Sequence, residues 1–180
     1  MNQAEVGSHQ QPLEISLSPT DLRNFGLFGA MPEPVLEHMS KHLALCEAGP
    51  GTYLFREADQ ADCMYFVLQG DIEVLKKSKS GAETRVAVLG PGDWFGEMAV
   101  IDVQRRSAGV MAVSPSRLIK ITAADLDALY RFDVKAYAIF VLNIARELSR
   151  RLRVADGILA ELIANVVHDY GRSHKSETSG

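Results

Sequence analysis

GPGDWFGEMAVIDVQRRSA, residues 90–108, puts an acid, a glycine-led turn and an arginine into one compact segment. Gly96 has no Cβ and lets the backbone approach a ligand closely. Glu97 is the one carboxylate beside that turn. Arg106 and Ser107 follow nine and ten residues after it, where a new strand is expected to begin. Backbone N–H groups at the start of a short helix over Met98–Ile101 favour negative charge. Arg106 offers a planar fork of donors that suits a phosphate, and Glu97 can accept from a hydroxyl. An anion that also carries hydroxyls satisfies all of these groups together.

Working outward, residues 44–122 consist of short β-branched and aromatic runs punctuated by Gly, Pro, Asp and Ser, the texture of a jelly roll or β-roll. Strands are predicted over Thr52–Phe55, Cys63–Leu68, Ile72–Lys76, Arg85–Leu89, Ser107–Val113 and Arg117–Ile121. Gln69-Gly70-Asp71 and Ser78-Lys79-Ser80-Gly81 have turn chemistry. Before the roll, Ser18-Pro19-Thr20-Asp21 signals a helix start, with Leu22, Phe25 and Phe28 as its apolar stripe. Pro32-Glu33-Pro34 opens a second short helix carrying Val35, Leu36, Met39 and Leu43. After it, Ala124–Tyr130 is a short helix, and a long one runs from about Asp133 to about His168. The expected class is mainly β with flanking helices, a double-stranded β-helix with a long C-terminal helix. Residues 19–168 form the domain, divided into helices (19–43), roll (44–122) and helices (123–168), between flexible tails at 1–18 and 169–180.

The 90–108 stretch resembles the phosphate-binding cassette of the cyclic nucleotide-binding domain family. That family's pattern is F-G-E-[L/M]-A-[L/V], a short spacer, then R-[S/T/A]-A. Phe95–Val100 and Arg106–Ala108 match it at the family's spacing. Gly49–Arg56, Tyr65–Glu73 and Leu89–Asp93 also resemble the family's recurring turns and strands. The resemblance implies that Glu97 accepts from the ribose 2′-hydroxyl and that Arg106 binds the cyclic phosphate. Ser107 adds its hydroxyl, and Ala99 its N–H, to the same oxygens. Phe95, Gly96 and Met98 complete the turn around them, and the base lies on Val86, Leu89 and Met98.

The long helix, Leu148–Leu162 above all, resembles the dimer helix of the bacterial catabolite activator group. On that alignment Arg151, Leu152, Ala155 and Asp156 sit where base-contacting residues reside. Ala155 departs from the hydroxyl residue with which that group bonds adenine N6. Asp156 can accept from adenine N6 or from guanine N1 and N2, so cyclic AMP is favoured while cyclic GMP stays open. The apolar positions Val141, Ala145, Leu148, Leu152, Ala155, Leu159, Leu162 and Val166 alternate four and three apart. That heptad seam predicts a homodimer through residues 141–166. A helix covering only its own roll would also need one apolar face.

Composition sets the limits. A net charge of −4 argues against non-specific nucleic-acid binding, which needs clustered Lys and Arg. No apolar run approaches a membrane span and the N-terminus has no secretory pattern, so a cytoplasmic chain is expected. Cys46 and Cys63 lie in apolar strand-like surroundings and read as buried reduced thiols. A metal oxygenase on a similar roll takes histidines from its strands. None of the five histidines falls between residues 43 and 167, so no enzyme and no cofactor are expected. His38 and His42 read as helix-surface residues. Asp169–Gly180 is too short and polar to make a DNA-binding unit, so the partner is expected to be an effector protein of unknown identity. A dimeric scaffold with a degenerate pocket is the alternative, and it would be expected to lack the acid or the arginine.

Overall fold

The computed structural model describes residues 17–102 and 104–177, with only the backbone described for Ala99 and residues 166–177. All but the last two residues of the N-terminal segment expected as a tail lie outside that range. The chain opens with α1 (Pro19–Arg23), a 3-10 turn over Gly26–Phe28 and α2 (Glu33–His42). The start of α1 is closed by a capping box. Asp21 N–H donates to the Ser18 hydroxyl while the Asp21 carboxylate accepts from Ser18 N–H.

Eight strands follow: β1 (Ala44–Ala48), β2 (Tyr53–Phe55), β3 (Cys63–Gln69), β4 (Ile72–Lys77), β5 (Glu83–Leu89), β6 (Trp94–Phe95), β7 (Gly109–Ala112) and β8 (Ser116–Thr122). Helix α3 (Glu97–Ile101) interrupts the series after β6. The strands form two four-stranded antiparallel sheets, ordered β1-β8-β3-β6 and β2-β7-β4-β5. Apart from the β4–β5 hairpin, consecutive strands lie in different sheets, so the chain passes back and forth between the layers as it winds.

Side chains alternate across a strand, and β3 uses both faces. Met64 and Phe66 point to a cluster shared with the helices, among Leu22, Phe28, Leu36, Ile119, Ile121 and Phe140. Val67 faces the other way, into the roll with Ile72, Phe95, Val110 and Leu118. Phe66 is fully buried, its ring 4.5 Å from Phe25, 5.7 Å from Phe28 and 6.4 Å from Trp94.

Helix α4 (Ala123–Phe132) repeats the N-terminal device, with Thr122 and Asp125 forming a second capping box. Helix α5 runs from Val134 to Glu177, nine residues past the expected end at His168. No proline falls between residues 169 and 177, so no residue there removes an N–H from the helical ladder. Near its start α5 is tied to the 3-10 turn by Asn143, whose Nδ2 donates to the carbonyls of Leu27 and Gly29 at 3.1 Å each.

Two strands escape the sequence reading. Ala44–Ala48 contains no β-branched residue, and its extended form comes from pairing along β8, Leu45 opposite Ile119 and Cys46 opposite Leu118. Trp94–Phe95 is two residues long and exists through its pairing with β3. The strand expected at Ser107 begins instead at Gly109, so Arg106 sits in a loop. Pairing fixes that boundary, because β4 meets β7 only from Leu75 opposite Gly109 onward.

Candidate functional site

Gly96 makes the tight turn from β6 into α3, in the left-handed region at φ +79°. A Cβ there would stand 2.6 Å from Arg106 Nη1 and 3.4 Å from the Cys63 carbonyl oxygen. Glycine therefore serves both the turn and the close approach of the arginine. The Gly96→Ala variant is expected to bind its ligand at least about tenfold more weakly, because the methyl group displaces the guanidinium. Left-handed strain of about 1–2 kcal/mol should also lower its unfolding midpoint by a few degrees. Calorimetric titration and a thermal melt check both effects.

Arg106 is only 6% exposed. Its backbone is pinned by the loop after β2. Ala58 N–H donates to the Arg106 carbonyl at 2.9 Å, and Arg106 N–H donates to the Asp59 carbonyl at 3.0 Å. Lys76 fastens the same region to β4, donating to Glu57 Oε1 at 2.6 Å and to the Ser107 carbonyl. The guanidinium lies 3.9 Å over the Phe55 ring. Its Nη1 donates to the carbonyls of Cys63 at 2.7 Å and Gly96 at 3.3 Å, and its Nη2 to Cys63 Sγ at 3.2 Å. Nε is buried and has no hydrogen-bond partner among the described residues. Asp102, a carboxylate four residues before Arg106 in the chain, is exposed and absent from these contacts.

Glu97 is equally buried, at 6% exposure, and its Oε1 lies 3.7 Å from Arg151 Nη1 on α5. Arg151 also donates from Nη2 to the Trp94 carbonyl at 2.8 Å and from Nε to Glu147 Oε1 at 3.2 Å. Burial raises the Glu147 pKa, but hydrogen bonds from Arg150 and Arg151 outweigh it and hold the carboxyl below its usual range. Burial, then the neighbouring Cys63 thiol, push the Tyr65 phenol far above its usual range. Tyr65 stacks on Phe95 at 5.4 Å, and Phe95 lies 5.9 Å from Phe55, so the floor under Arg106 is aromatic.

These groups surround a cavity of about 530 Å³ between the β2-β7-β4-β5 sheet, the β6–α3 turn and α5. Of the residues singled out in the sequence, Phe95, Gly96, Glu97, Met98, Arg106, Ser107, Val86, Leu89, Arg151 and Ala155 line it. Val86, Met98 and Ser107 are exposed at its rim. The Ala99 side chain lies outside the described residues. Leu152 and Asp156 do not line the cavity. The helix presents Glu147, Arg150, Arg151, Val154, Ala155 and Ile158 to it, one face at three- and four-residue steps, and positions 152 and 156 are each turned about 100° from a lining neighbour. Glu147, Arg150, Val154 and Ile158 were missed by sequence reading. So were Phe55, Val74, Ala87, Ala108 and Val110, whose apolar alternation matches ordinary core.

The long-helix seam is divided in the same way. Leu148 packs against the chain's own core and Ala155 lines the cavity. Leu152, Leu159 and Leu162 remain more than half exposed, and Val166 lies outside the described side chains.

A buried arginine with an open donor, a buried acid and an apolar wall opposite them make a cavity for an anion with hydroxyls and a flat apolar part. Residues 45–132 match the family model of the cyclic nucleotide-binding domain. The chain carries a domain of that family. The cyclic AMP receptor protein of Thermus thermophilus is 34% identical over 106 residues, covering 59% of this chain and 47% of that protein. The crystal structure of the Thermus thermophilus catabolite activator protein matches with a TM-score of 0.67 at 30% identity, over 76% of this chain and 62% of that one. The regulatory domain of Toxoplasma gondii PKA, crystallised with cAMP, matches with a TM-score of 0.57 at 31% identity, over 63% of this chain and 43% of that one. The chain thus spans about half the length of the Thermus receptor protein. The roll is a cyclic nucleotide-binding regulatory domain similar to these. Among the described residues no helix is long and apolar enough to cross a membrane.

Proposed function

We propose that the chain is a sensor that binds cyclic AMP in preference to cyclic GMP, does no chemistry on it, and signals through α5 to an effector protein. The observation that carries this reading is Arg106, a buried cation facing the cavity with an Nε–H that has no partner among the described residues. A cyclic phosphate takes the Nε–Nη2 edge, with the Ser107 hydroxyl and the Ala99 N–H as further donors. The ribose 2′-hydroxyl donates to Glu97. The base lies between Val86 and Leu89 on one side and Val154, Ala155 and Ile158 on the other. That wall is apolar, so it holds the ring by packing. The preference for adenine is supported by the similarity to a cyclic AMP receptor and to a regulatory domain crystallised with cAMP.

Transmission follows from Arg151, which links α5 to Glu97 and to the Trp94 carbonyl. A hydroxyl donating to Glu97 changes the partner of the same carboxylate that Arg151 faces. Occupancy of the cavity is thereby felt at α5, and the ligand shifts the helix to the extent that it binds one position better than another. Calorimetric titration of cyclic AMP and cyclic GMP into the unmodified protein tests the reading. Saturable binding of cyclic AMP, tighter than that of cyclic GMP, is the expected result. Absence of heat and of thermal stabilisation with both nucleotides would overturn it.

The exposed face of α5 supports pairing of two chains. Leu152, Leu159 and Ile163 recur at seven- and four-residue steps and are all more than half exposed. Sedimentation equilibrium should give twice the chain mass. The Leu152→Asp/Leu159→Asp double variant should give the monomer, since two charges then face the seam. A monomeric unmodified protein would remove the dimer from the proposal and leave the cavity untouched.

A further inference from the structure

Resting on the reading of Arg106 as the phosphate ligand, we propose that Cys63 is the positioning residue that sets that arginine, through its thiol, for the incoming anion. Cys63 opens β3, is 3% exposed and carries a free thiol. Two acceptors of this one residue engage two different terminal nitrogens of Arg106. The carbonyl oxygen takes Nη1 at 2.7 Å and Sγ takes Nη2 at 3.2 Å. A pair of acceptors on Nη1 and Nη2 occupies the end of the guanidinium fork. What remains is its side edge, the Nε–H and the outer hydrogen of Nη2, which is the other bidentate face of an arginine. The Nε, which has no partner among the described residues, belongs to that edge. Phe55, 3.9 Å beneath, fixes the plane in which the edge lies. The guanidinium is thus held in rotation and in tilt, with one donor pair in use and the other presented.

The choice of sulfur has a physical consequence. A carboxylate at this position would grip the same end as an ion pair and cancel the charge an anion needs. A neutral thiol accepts weakly and leaves the full positive charge on the guanidinium. Alanine or valine would leave Nη2 with an unmet donor at that end and the planar guanidinium held there by Nη1 alone, freer to pivot about its Cδ–Nε torsion. The cysteine read from sequence as a buried reduced thiol is therefore the group that aims the binding arginine.

Cyclic AMP and cyclic GMP are titrated into the unmodified protein and the Cys63→Ala, Cys63→Val, Cys63→Ser and Arg106→Ala variants. The 15N–H signals of the Arg106 side chain are recorded on the unliganded proteins. Expected are a loss of affinity of about three- to tenfold in Cys63→Ala and Cys63→Val alike, and affinity within about twofold in Cys63→Ser, whose hydroxyl restores the acceptor. The Arg106 Nε–H signal should broaden in the first two variants and stay sharp in the third. Cys63→Val fills the space of the thiol, so a packing defect would spare it, and Cys63→Ala decides if the valine variant does not fold. Unchanged affinity in both Cys63→Ala and Cys63→Val, with Arg106→Ala still disabling, would overturn the role of Cys63 alone. Equal losses in alanine, valine and serine would also overturn it, by assigning the effect to shape. Absence of binding in the unmodified protein would instead sink the underlying reading of Arg106.

Discussion

The Arg106→Ala variant is expected to bind cyclic nucleotide about 10²–10⁴-fold more weakly than the unmodified protein. Two charge-assisted hydrogen bonds, from Nε and Nη2, are lost together, each worth about 1.5–3 kcal/mol. The two other arginines that line the cavity are already engaged, Arg150 by Glu147 and Arg151 by Glu147, Glu97 and the Trp94 carbonyl. The loss should appear in calorimetry as vanishing heat at ligand concentrations that saturate the unmodified protein. Stability should fall too, because the Cys63 carbonyl loses its 2.7 Å donor in a buried setting. The unliganded melt must therefore be measured alongside. A folded Arg106→Ala protein that binds within tenfold of the unmodified one would show that the phosphate sits elsewhere. Arg106→Lys keeps the charge and loses the planar fork, and should fall between the two.

The largest effect on stability is expected at Phe66→Ala, far from any ligand. Phe66 is fully buried at the seam between β3 and the helices, with Phe25, Phe28 and Trp94 around its ring. Removing the ring deletes apolar contact on several elements and leaves a cavity they cannot jointly close, at a cost of about 3–5 kcal/mol. For a chain of this length that lowers the melting midpoint by about 6–20 °C. Affinity measured at a temperature where the variant is folded should change little, because the cavity lies on the opposite face of the β1-β8-β3-β6 sheet. A variant that melts like the unmodified protein would show that the helices do not depend on this contact.

Much of the site is legible in residues 90–108 because its chemistry is local. The turn needs a residue that tolerates positive φ, so Gly96 announces itself. Glu97 and Arg106 are the wrong residue types for a core unless an opposite charge meets them. The roll shows in the alternation of β3 and β4, where each side-chain direction is a property of the strand. The helix starts at Ser18 is equally local, a cap closing onto the residue three positions on.

Other features have no local cause. Ala44–Ala48 is extended because β8 offers it a ladder edge, and Trp94–Phe95 because β3 does. The heptad count along the last helix identified an apolar helix but not which arc each neighbour takes. The docking angle of α5 assigns Leu148 to the core, Ala155 and Ile158 to the cavity, and Leu152 and Leu159 to the outside. A rotation of one residue, about 100°, separates the face that lines the cavity from the exposed face, and periodicity alone carries no phase relative to another element.

By itself, then, the sequence determined a β-roll between helices, a glycine turn, and the acid and arginine that line the cavity, because each rests on conformational preferences or charges within a few residues. The tertiary structure decided which atoms hold that arginine, which helix face closes the cavity, and where β1, β6 and β7 begin and end. Cys63 and Arg106 are 43 residues apart in the chain and meet only because β3 and the loop before β7 converge on the same turn. Contacts of that kind depend on register and docking, which are energies of pairs of elements and are written in neither one alone.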